Sequence, residues 1–102
     1  MSRRFILSDP AAQDLDEIVS YVLEQSGLQR AQYVADHLYE AFQKLAEAPG
    51  LGHKREDLTC LPVLFWGAWS YLVIYKPETK PLEVVRVLHG ARDVEALLGG
   101  AE

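Results

Sequence analysis

Side chains able to do chemistry gather in one short stretch near the C-terminus, Val84-Val85-Arg86-Val87-Leu88-His89-Gly90-Ala91-Arg92-Asp93. The β-branched run reads as a strand that stops at Gly90, and Asp93 reads as the cap of a short helix running on through Leu98. Arg86, His89 and Arg92 therefore flank one strand end. Histidine is the usual proton carrier near neutral pH, and arginine forks hold phosphate or carboxylate. Alternation with Val85 and Val87 predicts that Arg86 projects from the opposite face of its strand. The same residues have a plain reading too. Asp93 caps the helix, Arg92 pairs with a nearby carboxylate, His89 is a satisfied strand-end histidine and Arg86 faces solvent.

Five of the ten aromatic residues, Phe65, Trp66, Trp69, Tyr71 and Tyr75, lie within eleven positions. Most must be core, but two tryptophans beside a turn at Gly67-Ala68 are costly to leave exposed, which makes Trp66 and Trp69 candidates for a partner surface. Base stacking by these rings would call for interleaved lysines and arginines, and the local sequence lacks them. His53-Lys54-Arg55 is the longest basic run and sits in a polar loop spanning 51–60. Cys60 reads as a small buried hydrophobe, since no base or second cysteine is placed to activate it. A single cysteine excludes an internal disulfide. His37, His53 and His89 fall on different elements and make no zinc set, and nothing implies a cofactor.

These residues must be positioned by a chain of 102 residues that is 49% hydrophobic and 25% charged, a composition suited to one compact domain over 1–102. Net charge is −5 and unevenly spread: residues 8–48 hold eight acids against two bases, the remainder seven against eight. That balance disfavours a general phosphate-binding surface and leaves room for a local basic patch. The apolar run after Arg3-Arg4 ends at Asp9-Pro10, too short for a signal peptide or a membrane span, which predicts a cytoplasmic protein that no membrane anchors.

Arg3 to Ser8 reads as a strand. Ser8 or Asp9 then caps a helix with Pro10 in its first turn, and Ala11, Leu15, Ile18, Val19 and Val22 recur at helical spacing until Ser26-Gly27. Asp14, Asp16 and Glu17 sit early in that helix, where its dipole favours negative charge. A second helix runs from about Leu28 to Ala48, with Ala31, Ala35, Leu38, Phe42 and Leu45 forming a seam, and stops at Pro49-Gly50. Val34 and Ala41 widen the seam, so the sheet or a partner helix must cover it. The short joint folds the helices into an antiparallel hairpin. Strands follow at Leu61–Trp66, Ser70–Tyr75 and Leu82–His89, with turns at Gly67-Ala68 and at Lys76–Pro81. The expected class is α+β: an N-terminal strand, a helix hairpin on a curved, mainly antiparallel sheet of about four strands, and a short C-terminal helix.

This order, with Leu7-Ser8-Asp9-Pro10-Ala11, Asp14-Leu15-Asp16-Glu17-Ile18, Ala48-Pro49-Gly50-Leu51-Gly52 and Val85-Arg86-Val87-Leu88-His89-Gly90-Ala91-Arg92-Asp93, resembles the RelE/ParE toxin family of bacterial type II toxin–antitoxin systems, closer to its ParE branch. The resemblance runs over nearly the whole chain. It implies a toxin neutralised by a cognate antitoxin that wraps its surface, with Leu38, Phe42, Leu45, Tyr71 and Tyr75 as antitoxin-binding candidates. Specific DNA contact is expected only through that antitoxin.

The family holds two activities, gyrase poisoning and ribosome-dependent mRNA cleavage. An RNase of this fold must activate a ribose hydroxyl, stabilise the phosphate with cations and protonate the leaving oxygen. RelE-like RNases carry an arginine after the aromatic of the central strand, where this chain has Leu72, and a tyrosine where it has Leu98. Arg92 occupies the remaining position. His89 could substitute as acid, and Glu56 or Asp57 as base. The acidic helices suit ribosomal RNA poorly. The resemblance therefore points to a binder of DNA gyrase, with Arg86, His89, Arg92, Trp66 and Trp69 as target-binding candidates. The alternatives are an RNase centred on Arg92 and His89, and a non-toxic remnant that only binds antitoxin.

Overall fold

The structure, a computed structural model, describes residues 4–57 and 60–89. Arg92, Leu98 and the expected C-terminal helix lie outside that range. Ser8 caps the first helix: its backbone is extended, and its hydroxyl accepts from the Ala11 N–H at 3.1 Å. With Pro10 in the first turn, where a missing N–H costs nothing, α1 runs Asp9–Ser26. Its inward face is Ala11, Asp14 and Leu15, with Ile18, Val19 and Val22 half-buried.

Gly27 joins the helices alone, at φ 92°, a conformation open essentially to glycine. Its N–H closes α1 on Leu23 and its carbonyl opens α2 on Ala31. The second helix, α2, spans Leu28–Glu47 and buries Ala31, Val34, Leu38, Ala41, Phe42, Leu45 and Ala46. Full burial of each leucine or phenylalanine contributes about 1.5–3 kcal/mol. A short 3-10 turn follows at Pro49–Leu51.

Four strands form one mixed sheet: β1 (Phe5–Leu7), β2 (Leu64–Ala68), β3 (Tyr71–Lys76) and β4 (Leu82–Leu88), in the order β1-β4-β3-β2. β1 runs parallel to β4, and the other pairs are antiparallel. Val73, Tyr75, Leu82, Val84 and Val87 face the helices, while Phe65, Ile74 and Leu88 build a smaller cluster with Val63. The α+β expectation matches this arrangement.

Two details differ from the sequence reading. The β2–β3 turn lies at Trp69-Ser70, with Ala68 opposite Tyr71, so Gly67-Ala68 is strand and β2 begins at Leu64. Trp69 has φ 59°, the positive value that tight hairpin turns require and that tryptophan rarely adopts. In β4, register passes from Ile74↔Arg86 to Tyr75↔Val84, leaving Val85 as an extra residue. This bulge breaks the alternation on which the orientation of Arg86 was predicted.

Candidate functional site

β1 pairs with β4 only as far as Val84, so the remaining backbone on that edge of β4 needs other partners. The start of α1 supplies them. The Ser8 N–H donates to the Val84 carbonyl at 3.0 Å, and the Ser8 hydroxyl donates to the Val85 carbonyl at 2.7 Å. The Asp14 carboxylate accepts from the Val87 N–H at 3.1 Å. It also accepts the Arg86 fork, from Nε at 2.6 Å and from Nη2 at 2.8 Å.

Arg86 is therefore not a free strand arginine. Val85 packs on the far cluster and Val87 on the helix-facing one, because Val85 is the extra residue of the bulge and breaks the alternation. Asp14 is only 8% exposed, so its role exceeds a favourable dipole contact. Hydrogen bonding to Asp14 pushes the Arg86 pKa further up, against an opposing desolvation effect.

Beside this pair, α1 and the end of the sheet enclose a groove of about 370 Å³ lined by Asp14, Glu17, Ile18, Tyr21, Tyr71 and His89, with Val87 and Leu88 behind them. His89 is exposed and its ring centre lies 5.3 Å from that of Tyr71. The groove brings together an imidazole, two phenols and two carboxylates. Among the described residues, the guanidinium beside it, that of Arg86, is already paired with Asp14. Leu72 is half-buried against the far cluster and offers no charge.

The two tryptophans meet the other helix. Trp66 is half-buried with Lys44 Nζ 5.5 Å from its ring centre. Trp69 stacks on His37 at 3.7 Å and 9°, with Tyr33 at 5.4 Å and the Arg30 guanidinium at 5.9 Å. The five target-binding candidates thus divide: Arg86 and His89 lie along α1, Trp66 and Trp69 along α2, and Arg92 outside the described residues.

The antitoxin-binding candidates need correction. Leu38, Phe42, Leu45 and Tyr75 are completely buried, because the helix seam is consumed by packing on the sheet. Tyr75 donates its hydroxyl proton to the Pro49 carbonyl at 2.6 Å and accepts from the Gly52 N–H at 2.8 Å, and burial pushes its pKa up. Only Tyr71 of this set keeps accessible surface.

Cys60 is exposed rather than buried, since Leu61 and Pro62 beside it also face outward and the first inward side chain of this segment is Val63. The preceding loop is tied to the β2 edge through mutual His53–Phe65 hydrogen bonds, and Arg55 forks onto Asp57 at 3.1 and 2.9 Å. Glu56 and Asp57 do not line the groove, so neither stands as a base beside His89. The residues that sequence reasoning missed are Asp14, Glu17 and Tyr21. Nothing in their spacing signals the open strand edge that recruits Asp14.

The family model described as the ParE toxin of type II toxin-antitoxin system, parDE, matches residues 5–94. Toxin ParE1 of Caulobacter vibrioides is 32% identical over 93 residues, which cover 91% of this chain and 95% of the relative. Toxin ParE3 of the same organism is 29% identical over 97 residues, 94% of this chain and 95% of the relative. Among solved structures, a chain of the chromosomal ParDE TA system from P. aeruginosa superposes with a TM-score of 0.69 at 18% identity, covering 87% of this chain and 97% of that one, which is a likeness of fold. The overall fold is thus shared with a chain of a known ParDE system, and the chain belongs to the ParE toxin family of type II toxin–antitoxin systems.

Proposed function

We propose that this chain acts by binding and inhibiting DNA gyrase in the cytoplasm, and that a cognate antitoxin neutralises it. The observation that supports a binding rather than a cleaving mode is the Asp14–Arg86 pair. Phosphodiester cleavage needs cationic groups free to meet the crowded phosphate. Among the described residues that line the groove, no uncompensated cation faces His89, and Leu72 stands where the RNase scaffold places an arginine. A histidine without such a partner can move a proton but cannot hold the phosphate.

The antitoxin has accessible apolar surface to cover. A groove of about 290 Å³, apolar in its lining except for Asp16, opens between the helices beside Leu7, Leu15, Val19 and Tyr39, and Tyr39 is 45% exposed. The acidic helices favour basic residues on the segment that docks there.

Supercoiling by purified gyrase, titrated with antitoxin-free chain, tests the reading. Inhibition with accumulation of cleaved DNA is expected. Unaffected gyrase, together with cut mRNA on ribosomes and loss of that cutting in His89→Ala and Arg92→Ala, would replace it with the RNase reading. Expression alone without growth arrest would identify a remnant.

A further inference from the structure

Residues 8–48 contain only two bases, Arg30 and Lys44, among eight acids. The ordinary use of such bases is pairing with a carboxylate one helical turn away. Neither is used so. The Arg30 guanidinium carbon lies 5.5 Å from the Tyr33 ring centre and 5.9 Å from that of Trp69, and Lys44 Nζ lies over Trp66. Among the described residues neither cation forms an ion pair, although Glu40 lies one turn before Lys44.

His37 stands midway between them. Positions 30, 37 and 44 repeat every seven residues, so they share one helix face over about 21 Å at 1.5 Å per residue. The β2–β3 hairpin presents the tryptophans to this same face. The packing of α2 beside the hairpin adds two tryptophans to a face on which Arg30, Tyr33, His37 and Lys44 already alternate. Trp69 remains 47% exposed and Tyr33 55%. The φ of 59° at Trp69 is an unfavourable backbone for so large a side chain, and such outliers cluster where a side chain has a task.

Exposed aromatic faces accept flat π systems, and uncompensated cations accept anions. A ligand that offers both at intervals along a flexible line is a single-stranded polynucleotide. Glu40, three residues after His37 and four before Lys44, lies on this face between them and opposes phosphate there, and a duplex, whose bases are stacked inside it, cannot offer π faces to the rings. We propose that the stripe formed by Arg30, Tyr33, His37, Lys44, Trp66 and Trp69 is a binding track for single-stranded nucleic acid. Bases stack on Trp69 and Tyr33, and phosphates meet Arg30 and Lys44. The track is separate from the His89 groove and does not depend on which enzyme the toxin inhibits.

Trp66 and Trp69 are the only tryptophans in the chain, so intrinsic fluorescence reports directly on the site. Antitoxin-free chain titrated with a short oligothymidylate should show saturable quenching, with log affinity falling against log salt at a slope of about −1.4 for two phosphates. Arg30→Gln or Lys44→Gln should reduce that slope to about −0.7. Trp69→Asn keeps a residue that tolerates the left-handed backbone and should weaken binding about tenfold or more. Glu40→Gln should strengthen it several-fold. Circular dichroism of each variant verifies that the fold is kept. Absence of quenching at low salt, affinity indifferent to Arg30, Lys44 and Glu40, or equal affinity for duplex DNA would overturn the proposal. Equal affinity for an acidic tyrosine-containing peptide would overturn it in favour of a protein partner.

Discussion

Removing the Asp14 carboxylate should destabilise the fold more than removing its arginine partner. Asp14→Ala deletes three hydrogen bonds at once and leaves the Val87 N–H without an acceptor on an edge that β1 does not reach. Breaking a buried pair costs about 3–5 kcal/mol. The Arg86 side chain is 22% exposed and can rehydrate, which lowers that figure, while the orphaned amide adds about 1–3 kcal/mol. A net loss of about 2–4 kcal/mol is expected, or a fall in Tm of about 8–16 °C for a chain of this length. Arg86→Met leaves Asp14 bonded to Val87 and should cost about half as much. Asp14→Asn, which keeps an acceptor for that amide, should fall between wild type and Asp14→Ala. Denaturant melts of the single and double variants give the coupling energy. A loss below about 1 kcal/mol for Asp14→Ala, or single effects that add within about 0.5 kcal/mol in the double variant, would refute this account of the strand edge.

Other substitutions probe the turn regions. A Cβ on Gly52 would lie 2.6 Å from the Tyr75 hydroxyl oxygen and 2.9 Å from the Phe65 carbonyl oxygen, whereas one on Gly50 would meet nothing within 4 Å. Gly52→Ala should therefore cost about 1–3 kcal/mol in a denaturant melt and Gly50→Ala less than about 0.5 kcal/mol. Gly27→Ala forces a side chain into the φ 92° joint and should cost about 1–3 kcal/mol, read as a lowered Tm. Burial raises the Tyr75 pKa above its ordinary 10.0, so the folded chain keeps this proton when the unfolded chain has lost it. Stability is full below pH 10 and should decline as pH rises through 10 toward the folded value. Tyr75→Phe should flatten that alkaline decline while weakening the fold at neutral pH.

Both helices were legible almost to the residue, because Ser8, Pro10, Gly27 and Pro49 punctuate them and the apolar spacing between is regular. β3 and β4 were legible for the same kind of reason. β2 was misplaced because Gly67-Ala68 looks like a turn and Trp69 does not, yet Trp69 takes the left-handed position while its ring is held by His37. The orientation of Arg86 failed because one extra residue in β4 shifts the face count, and a bulge leaves no mark in composition. Leu38, Phe42 and Leu45 were offered to a partner because a seam shows that a face must be covered but not by what. Here the protein's own sheet covers it. The tryptophan stripe was invisible for a related reason: its cations and its two tryptophans are more than twenty residues apart in sequence.

The parallel pairing of Phe5, Ile6 and Leu7 with Leu82, Glu83 and Val84 also has a temporal side. The helix hairpin is complete in the chain by residue 47, but β4, which closes the sheet beside β1, is made after the other described strands. During translation α1 emerges with Asp14 and Ser8 prepared for a strand that does not yet exist, and the groove beside His89 has only one wall. Domains acquire their local contacts early and their long-range ones late. The surface along β4 therefore comes into being only once β4 itself has been made, so a chain truncated before β4 carries the hairpin without the sheet-end groove.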